Sequence, residues 1–368
     1  MDFSKGMKKE KGENMKVIMI GSHLRTTGGI TRVVKNYLQS DLDKKVNLEY
    51  FPTYFGSNHL INILYFFIRF IVLYFKLNIS NVKYDVAHIH MSYKGSFYRK
   101  KIIINSLKKK NIPILLHMHG SQFKDFYNQS SKKQQKEITN TLNKVDIILA
   151  LGKEWKDYYQ SICKSQVFSL DNAVFLKETS NDEEKIYITT MGVLSNRKGT
   201  YDLITAAAKL KGNIDSKYKF LLAGDGEVEN VKKRINDLKL NDLFIVPGWI
   251  SNEEKVQEIY RKSVIYVLPS YNEGMPMSIL EAMSFGLPIV STNVGSIPSV
   301  IKNEENGILI KPGDIQDLKN AIEQILNNQQ MKESMGKNNI NKIKVHYNIY
   351  ESIEKLVKIY SNLSKQVH

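Results

Sequence analysis

The chain has 368 residues of ordinary globular composition, so it is too long for one hydrophobic core and fits two domains of roughly 170–190 residues each. Its single cysteine, Cys163, excludes an internal disulfide and a cysteine-rich zinc site, and agrees with a reducing cytoplasm. The net charge of +16 is uneven: residues 1–171 contain 28 Lys and Arg against 13 Asp and Glu, whereas residues 172–368 contain 25 against 24. Such an excess has two interpretations: an anionic partner, or lysines that are spread over solvated faces. Among anionic partners we favour a membrane surface over nucleic acid.

Residues 1–14 are polar and rich in lysine, so we expect a flexible tail rather than a secretory signal. A first domain is predicted over 15–171, because apolar runs alternate there with helical stretches. Continuous apolar runs joined by long helical connections indicate parallel strands that are covered on both faces. The predicted strands of this half are Lys16–Gly21, Leu48–Phe51, Val86–His90, Ile114–His117 and Asp146–Leu151.

The loop after the first predicted strand contains the glycine pair Gly28 and Gly29, just before a predicted helix that begins at Thr31. Glycines at such a turn let the backbone approach a phosphate or a sugar, although a plain tight turn has the same pattern. The spacing differs from the dinucleotide fingerprint, and no acidic residue is placed to bind an adenosine ribose. A nicotinamide enzyme is therefore disfavoured.

The segment Leu60–Leu77 is almost uniformly apolar. Its strongly polar residues Asn62, Arg69 and Lys76 are spaced seven apart and form one stripe on a helix. The length approaches that of a membrane span, but charges in the middle and at the end make spanning costly. Three interpretations stay open: a core-facing helix with a narrow wet edge, an interfacial helix lying in a leaflet, and a true span. The interfacial interpretation agrees with the basic first half.

His117 and His119 lie at the carboxyl end of the fourth predicted strand, the edge at which open α/β sheets bind ligands. Strand alternation directs both side chains to one face, where they could ligate a metal. No third ligand is suggested nearby, and the one Asp-x-Asp motif, Asp41 and Asp43, lies at a lysine-rich helix end. We therefore expect no metal site, a packed His117, and an exposed His119 beside Gly120.

A second series of apolar runs predicts a second domain over 172–348, after a polar and acidic break near Asp171–Glu184. The amphipathic segment Ile349–Leu363 has no strand after it, so we expect residues 349–368 to form a helix that packs back on the first domain. Two such series predict an α/β protein of two doubly wound domains. The predicted strands of this half are Lys185–Met191, Tyr218–Ala223, Leu243–Val246, Val264–Leu268, Pro288–Ser291 and Gly307–Ile310.

Three loops of the second half follow predicted strands at one edge of the sheet. Arg197 and Lys198 stand between a strand and a helix, where a lysine is suited to hold a diphosphate, although a solvated basic turn has the same pattern. Asp225 lies in a Gly-Asp-Gly turn, and Ile250 follows a Pro-Gly-Trp turn. Each signal is weak alone, and their alignment at the strand ends favours a site.

The most informative motif places Glu273 and Glu281 eight positions apart across a predicted helix start. The turn between them consists of Gly274, Met275, Pro276 and Met277. Pro276 suits the first helical position, and the free amides with the positive end of the helix dipole favour a phosphate there. Glu273 would precede the helix, and Glu281 would lie about two turns into it on nearly the same face. This arrangement suits a sugar nucleotide, with phosphates on the amides and hydroxyls on the carboxylates.

These motifs together resemble the family-4 retaining glycosyltransferases of the GT-B fold, most closely those that assemble bacterial capsule, lipopolysaccharide or teichoic-type glycans. The resemblance covers about residues 15–360 and is most specific over 269–288, which matches the family's Glu-x7-Glu region. It implies two Rossmann-like domains that face each other across a cleft. Supporting matches are Gly28-Gly29, the run 85–99, His119-Gly120, Asn172, Arg197-Lys198-Gly199 and Gly224-Asp225-Gly226.

The resemblance implies roles for the residues singled out. Glu281 would bind the ribose hydroxyls of the nucleotide, and Glu273 a hydroxyl of the transferred sugar. Lys198, with the amides of residues 274–277, would hold the diphosphate leaving group, and His119 would lie beside the donor sugar. Further donor contacts are implied for Gly28, Gly29, Arg197, Asp225 and, against the base, Ile250.

One position departs from the family pattern. The family's usual Gly-Arg-Leu sequence reads Gly192-Val193-Leu194 here, so one expected phosphate-binding arginine is missing. Two substitutes stay open: Arg197, or Lys198 together with the helix terminus.

The resemblance implies transfer of a sugar from a UDP- or GDP-sugar to a glycan or lipid-linked glycan acceptor, with retention, by front-face displacement and without a metal or other cofactor. We expect the protein in the cytoplasm or peripherally at the inner face of the membrane, held through the basic first domain and Leu60–Leu77. No nucleic-acid partner is expected. Two alternatives are a non-catalytic, membrane-associated partner in glycan assembly and a sugar-nucleotide epimerase on the same scaffold.

Overall fold

The computed structural model describes residues 15–56, 58–80, 82–177 and 183–365. The predicted tail 1–14 and residues 178–182 of the predicted break lie outside these ranges. The strands of the described part are β1 (Lys16–Gly21), β2 (Asn47–Pro52), β3 (Val86–Met91), β4 (Ile114–Met118), β5 (Ile147–Ala150), β6 (Gln166–Ser169), β7 (Tyr187–Met191), β8 (Lys219–Ala223), β9 (Phe244–Gly248), β10 (Ser263–Leu268), β11 (Ile289–Thr292) and β12 (Gly307–Ile310).

Helices connect the strands on both faces of the two sheets. In chain order they are α1 (Gly29–Gln39), α2 (Leu42–Lys45), α3 (His59–Asn78), α4 (Gly95–Lys108), α5 (Phe123–Asn128), α6 (Lys132–Leu142), α7 (Gly152–Ile162), α8 (Thr200–Leu210), α9 (Val228–Asp237), α10 (Glu253–Arg261), α11 (Met277–Ser284), α12 (Ile297–Val300), α13 (Ile315–Asn327), α14 (Gln329–His346) and α15 (Ile349–Lys365). A short 3₁₀ turn, Asn196–Lys198, precedes α8.

The first sheet has the strand order β2-β1-β3-β4-β5-β6, and every pairing is parallel. Strands β3, β4 and β5 are buried along their whole length, as continuous apolar runs predict. Strand β6 was not predicted. Only Val167 of its four residues is buried, because β6 forms the edge of the sheet and carries no apolar run.

The second sheet has the order β12-β11-β10-β7-β8-β9, again parallel throughout. The order reverses between β7 and β10, so the loops after these two strands flank the crevice in which doubly wound sheets bind ligands. The loop after β7 leads to Lys198, and the loop after β10 contains Glu273. The α/β prediction of two doubly wound, Rossmann-like domains is confirmed.

Helix α15 lies against the first domain, although it is last in the chain. The hydroxyl of Tyr360 is 2.6 Å from Nδ1 of His88 in β3, and Lys45 of α2 pairs with Glu354 at 2.6 Å. Further contact comes from apolar side chains of α15, such as Leu356, that share a buried cluster with β1 and α1. The C-terminal helix therefore follows the second domain in the chain but packs against the first domain.

Helix α3 turns its polar stripe toward the protein. Nε of Arg69 donates to the carbonyl oxygen of Pro52 at 3.1 Å, and Nζ of Lys76 pairs with Glu49 at 2.6 Å. Asn62, the third polar residue, is buried. The interpretation of this segment as a core-facing helix with a wet edge is therefore wrong, because its polar edge is the side that faces the domain.

The opposite face of α3 is apolar and exposed. Three residues, Phe66, Leu73 and Leu77, anchor the helix on the core of the first domain. In the part of the chain that the structure describes, α3 is the one helix long and apolar enough to cross a membrane. Its ends connect over short loops to β2 and β3, so it lies along the domain. The exposed large side chains are Leu60, Ile61, Ile63, Leu64, Phe67, Ile68, Ile71, Tyr74 and Phe75.

Candidate active site in the interdomain cleft

A cleft of about 410 Å³ lies between the two domains, at the carboxyl ends of both sheets. The first domain contributes the loop after β1, the start of α1 and the end of β4, and the second contributes the loops after β7, β9 and β10. All predicted site residues except Asp225 line the cleft. They are Gly28, Gly29, His119, Arg197, Lys198, Ile250, Glu273, Gly274, Met275, Pro276, Met277 and Glu281.

Asp225 is absent from the lining of the cleft, so the structure does not support a donor contact from its side chain. Its carbonyl oxygen accepts a hydrogen bond from the amide of Leu194 at 2.7 Å, and Leu194 also forms a bridge with Gly226. These backbone contacts fasten the Gly-Asp-Gly turn to the loop after β7. The turn therefore supports that loop.

Lys198 and Glu273 form a buried ion pair at the centre of the second-domain wall. Their Nζ and Oε1 atoms are 2.5 Å apart, and Ser270 Oγ donates to the same carboxylate oxygen at 2.7 Å. Both side chains are mostly buried, with 15% of Lys198 and 7% of Glu273 exposed. An ammonium group has three donors, so Lys198 keeps two N–H groups for an anion in the cleft.

Two glycines allow the backbone to close around this pair. Gly199 has φ +69°, and a Cβ there would lie 2.0 Å from the carbonyl oxygen of Pro269. Gly295 has φ +54°, and its Cβ would lie 2.0 Å from the carbonyl oxygen of Glu273. A side chain at either position would push apart the loops that hold Lys198 and Glu273, which is the physical reason for glycine there.

The start of α11 offers backbone donors beside the ion pair. The first amides of a helix have no intrahelical acceptor, and no side chain caps this one. Two details of the sequence-based prediction were wrong: Pro276 is the N-cap residue rather than the first helical residue, and Glu281 lies one turn into the helix rather than two. Pro276, Met277 and Glu281 all line the cleft, so the start of the helix still lies at the candidate site.

Arg197 lines the cleft, but its guanidinium is already engaged with the loop after β10. Its terminal nitrogen donates to the carbonyl oxygen of Asn272 at 2.9 Å, and its own carbonyl accepts from the amide of Tyr271 at 2.8 Å. Val193, where the family pattern has arginine, also lines the cleft. Arg197 and Lys198 both line the cleft with N–H donors left over, so both remain candidates to hold an anion there.

Glu281 is held by two residues that the sequence analysis missed. Nε of Arg32, from α1 of the first domain, forms a short ion pair with its Oε1, and the hydroxyl of Tyr260 donates to Oε2 at 3.3 Å. Arg32 also pairs with Glu253 at 3.0 Å. Each carboxylate oxygen has two acceptor positions, so Glu281 keeps capacity for ligand hydroxyls. The charge pairing crosses the cleft and joins the two domains.

Asn172, between the two sheets in the chain, contacts the turn between Glu273 and Glu281. Its side-chain amide donates to the carbonyl oxygen of Met275 at 2.8 Å, while its own side-chain oxygen is buried without a partner in the described residues. In the loop after β9, Ile250 and its half-exposed neighbour Trp249 also line the cleft. An aromatic or aliphatic surface there is suited to the face of a nucleotide base.

His119 is the cleft-facing histidine, and His90 orients it. Nε2 of His119 lies 2.9 Å from Nδ1 of His90. Burial lowers the pKa of His119 to about 3, so the ring is neutral at pH 7. A neutral imidazole can donate one hydrogen bond and accept another, but it supplies no positive charge to a leaving group. His119 is therefore suited to bind a sugar hydroxyl.

Behind His119, the ring nitrogens of His88, His90 and His117 lie within 4.8 Å of one another, the one potential metal-binding group in the described residues. None of these three rings lines the cleft, and His88 contacts Tyr360 of α15. Burial lowers the pKa of each. The group lies in the core, so an ion bound there would not touch a ligand in the cleft.

Comparison with known proteins shows similarity to glycosyltransferases over the part of the chain that carries these motifs. Residues 171–342 match the sequence profile described as Glycosyl transferases group 1. The chain is 25% identical over 362 residues to the UDP-Gal:alpha-D-GlcNAc-diphosphoundecaprenol alpha-1,3-galactosyltransferase of Escherichia coli, with 88% of this chain and 85% of the relative covered. The matched segment contains both glutamates and Lys198.

Two solved structures share the fold over nearly the whole chain. Sucrose-phosphate synthase from Thermosynechococcus elongatus has a TM-score of 0.78 at 18% identity, with 95% of this chain and 99% of that chain covered. Anabaena Alr3699/HepE in complex with UDP has a TM-score of 0.73 at 16% identity, with 95% and 100% covered. The profile match and the fold agree: residues 171–342 form a domain of the Glycosyl transferases group 1 type, and the chain has the two-domain GT-B fold.

Proposed function

We propose that this protein is a retaining, metal-independent family-4 glycosyltransferase of bacterial surface polysaccharide or capsule synthesis. It transfers a sugar from a UDP- or GDP-sugar to a glycan or lipid-linked glycan. The observation that supports this most is the Lys198–Glu273 pair beside the uncapped start of α11, with Glu281 in the same cleft. By its name, the E. coli relative uses UDP-galactose and a diphosphoundecaprenol-linked acceptor.

In this proposal the donor diphosphate lies on the amides at the start of α11 and on Lys198. Glu281 accepts hydrogen bonds from the ribose hydroxyls, and Glu273 accepts one from a hydroxyl of the sugar. Neutral His119, from the first domain, also binds the sugar. The acceptor hydroxyl attacks the anomeric carbon on the face from which the phosphate leaves, and the departing phosphate takes the hydroxyl proton. Catalysis then depends on positioning and on stabilising the charge of the leaving group.

The donor site can be tested with a panel of sugar nucleotides, scored for hydrolysis and for protection against thermal unfolding. We expect UDP- or GDP-sugars to protect the wild type, and Glu281→Ala to raise the donor KM about 10- to 100-fold through lost hydrogen bonds to a charged acceptor. Glu229→Ala, which removes an exposed carboxylate of the same domain, should leave KM unchanged.

Because Glu281 also holds Arg32, the variant Arg32→Gln separates the ion pair from the ribose contact and should raise KM less than Glu281→Ala does. An unchanged KM in Glu281→Ala would reject ribose binding by this residue. A wild type that no sugar nucleotide protects would reject the glycosyltransferase proposal in this form.

We also propose a peripheral position at the cytoplasmic face of the membrane, with α3 lying in the leaflet. The exposed apolar face of α3 and the +15 charge of residues 1–171 support it, because interfacial helices combine apolar burial with attraction to anionic lipids. The alternative of a true span is disfavoured, because Arg69 and Lys76 bind the domain that α3 covers.

Vesicle flotation tests this surface. Phe67 and Ile71 are each 53% exposed on α3, so replacing both with glutamine removes apolar area without touching the core. We expect the double variant to bind anionic vesicles about 30- to 140-fold more weakly, at roughly 1–1.5 kcal/mol for each of the two half-buried side chains. Val345→Gln, an exposed apolar position of α14, is the matched control. Undiminished flotation of the double variant would contradict the leaflet position.

A further inference from the structure

The segment that joins β2 to α3 is surrounded by positively charged side chains, beginning with two arginines. The guanidinium of Arg69 lies 4.0 Å from the ring centre of Phe51, and its Nε donates to Pro52. The guanidinium of Arg99, from α4, lies 4.7 Å from the ring centre of Tyr54. The Nε of Arg99 is buried and has no hydrogen-bond partner in the described residues. Both groups are thus held in place by stacking, with N–H donors left over.

Two further cations complete the group. Nζ of Lys100 donates to the hydroxyl of Thr53, and burial, followed by the nearby charge of Arg99, lowers its pKa well below the usual value. The exposed Arg25 lies in the loop after β1, which contacts the segment because the amide of His23 donates to the carbonyl oxygen of Tyr54 at 2.7 Å and its ring lies 5.0 Å from that of Phe55. We call Arg25, Arg69, Arg99 and Lys100 the cationic cluster.

The cationic cluster has no compensating acid. No carboxylate of the described residues forms a salt bridge with any of its four members. Glu49, on the neighbouring strand β2, is already paired with Lys76 and accepts from Tyr84. The three arginines around this short segment repel one another, and a bound anion would relieve that repulsion.

The cluster lies between the cleft and the exposed face of α3. Thr26 lines the cleft, and its side chain packs against Gly56 of the segment. At the other end, Phe55 packs against Tyr65 of α3 with ring centres 5.4 Å apart, and Phe55 itself is exposed. An anionic group bound here would therefore sit where the apolar face of α3 begins, beside the first-domain wall of the cleft.

We propose that the cationic cluster binds the diphosphate of a lipid-linked acceptor, with the lipid tail along α3 and the glycan directed into the cleft. This assignment rests on the proposed function, because it gives the acceptor the headgroup that a lipid-linked glycan carries. Guanidinium groups bind phosphate oxygens in bidentate pairs, so three arginines match a headgroup with several phosphate oxygens better than a singly charged lipid.

The test uses the full chain in flotation with three vesicle types: phosphatidylcholine alone, phosphatidylcholine with a polyprenyl diphosphate, and phosphatidylcholine with phosphatidylglycerol matched for total charge. The variants are Arg25→Gln, which is exposed and leaves no cavity, and Arg99→Gln. Each should weaken binding to the diphosphate vesicles by about tenfold, the loss of one charged hydrogen bond. Lys133→Gln, an exposed lysine of α6, removes the same charge elsewhere on the first domain and is the matched control.

Arg99→Lys keeps the charge without the guanidinium fork, so binding that it restores only in part supports phosphate recognition over a purely structural role. Equal losses on diphosphate and phosphatidylglycerol vesicles would overturn the assignment in favour of general attraction to anionic lipid. Losses no greater than those of Lys133→Gln would overturn it outright. Protection by UDP, measured on the same variants, reports on the second domain, so a failed donor site is recognised separately from a failed headgroup site.

Discussion

Replacing Lys198 with alanine is expected to lower kcat about 10²–10³-fold, equivalent to roughly 3–4 kcal/mol of transition-state stabilisation. The reason is geometric: the Lys198 side chain is mostly buried, is held by Glu273 at 2.5 Å, and lines the cleft with the start of α11, where we propose that the diphosphate binds. Charge develops on the leaving phosphate, and a preorganised cation stabilises it more than bulk water does. Steady-state kinetics at saturating donor measures the effect.

Two further variants make this result interpretable. Lys233→Ala removes an exposed lysine of α9 in the same domain and should leave kcat unchanged. Because Lys198→Ala leaves the carboxylate of Glu273 buried with only Ser270 as partner, the double variant with Glu273→Gln tests whether an unpaired charge causes the loss. A kcat for Lys198→Ala near that of the wild type would show that the leaving group is stabilised elsewhere.

The protein is expected to lose stability steeply as the pH falls below about 6.5. His88, His90 and His117 are fully buried, and burial lowers the pKa of each, to about 3 for His88. Between pH 6.5 and 3 the unfolded chain therefore binds protons that the native state excludes, so lowering the pH favours unfolding. At pH 5 each ring lowers the free energy of unfolding by up to about 2 kcal/mol, and the three together lower it by up to about 6 kcal/mol.

Urea unfolding at pH 7, 6 and 5 measures this dependence. His117→Leu removes one titrating group from the core and should reduce the loss between pH 7 and pH 5 by up to about 2 kcal/mol, whatever its effect at neutral pH. His346→Gln, at an exposed position of α14, should leave the dependence unchanged. A free energy of unfolding that stays constant over this range would show that the core histidines are already charged or open to water.

Much of the fold was predictable, because it is encoded in local patterns. Continuous apolar runs located eleven of the strands in the described residues to within about two residues. The helical stretches between these runs predicted two doubly wound sheets. Strand β6 was missed because an edge strand with one buried residue has no such run. The confirmed GT-B fold rests on the same regularity.

The candidate site divides in the same way. Glu273, Glu281 and Lys198 were identified because short motifs with glycine and proline mark where strands end and helices begin. Asp225 has a similar local signal, yet its turn serves as a backbone support beside Leu194. A local motif indicates that a loop lies at the ligand edge, but it does not show whether a given side chain points into the crevice.

The amino-acid sequence by itself determined eleven of the strands in the described residues, the two doubly wound sheets and the loops that carry Glu273, Glu281 and Lys198. Only the tertiary structure showed that the polar stripe of α3 faces inward, that Arg32 pairs with Glu281 across the cleft, and that three arginines and the buried Lys100 lie around the segment before α3. The physical reason is distance along the chain. Periodicity records the geometry of residues a few positions apart, whereas Arg32 and Glu281 are 249 positions apart and meet only because two domains close on each other.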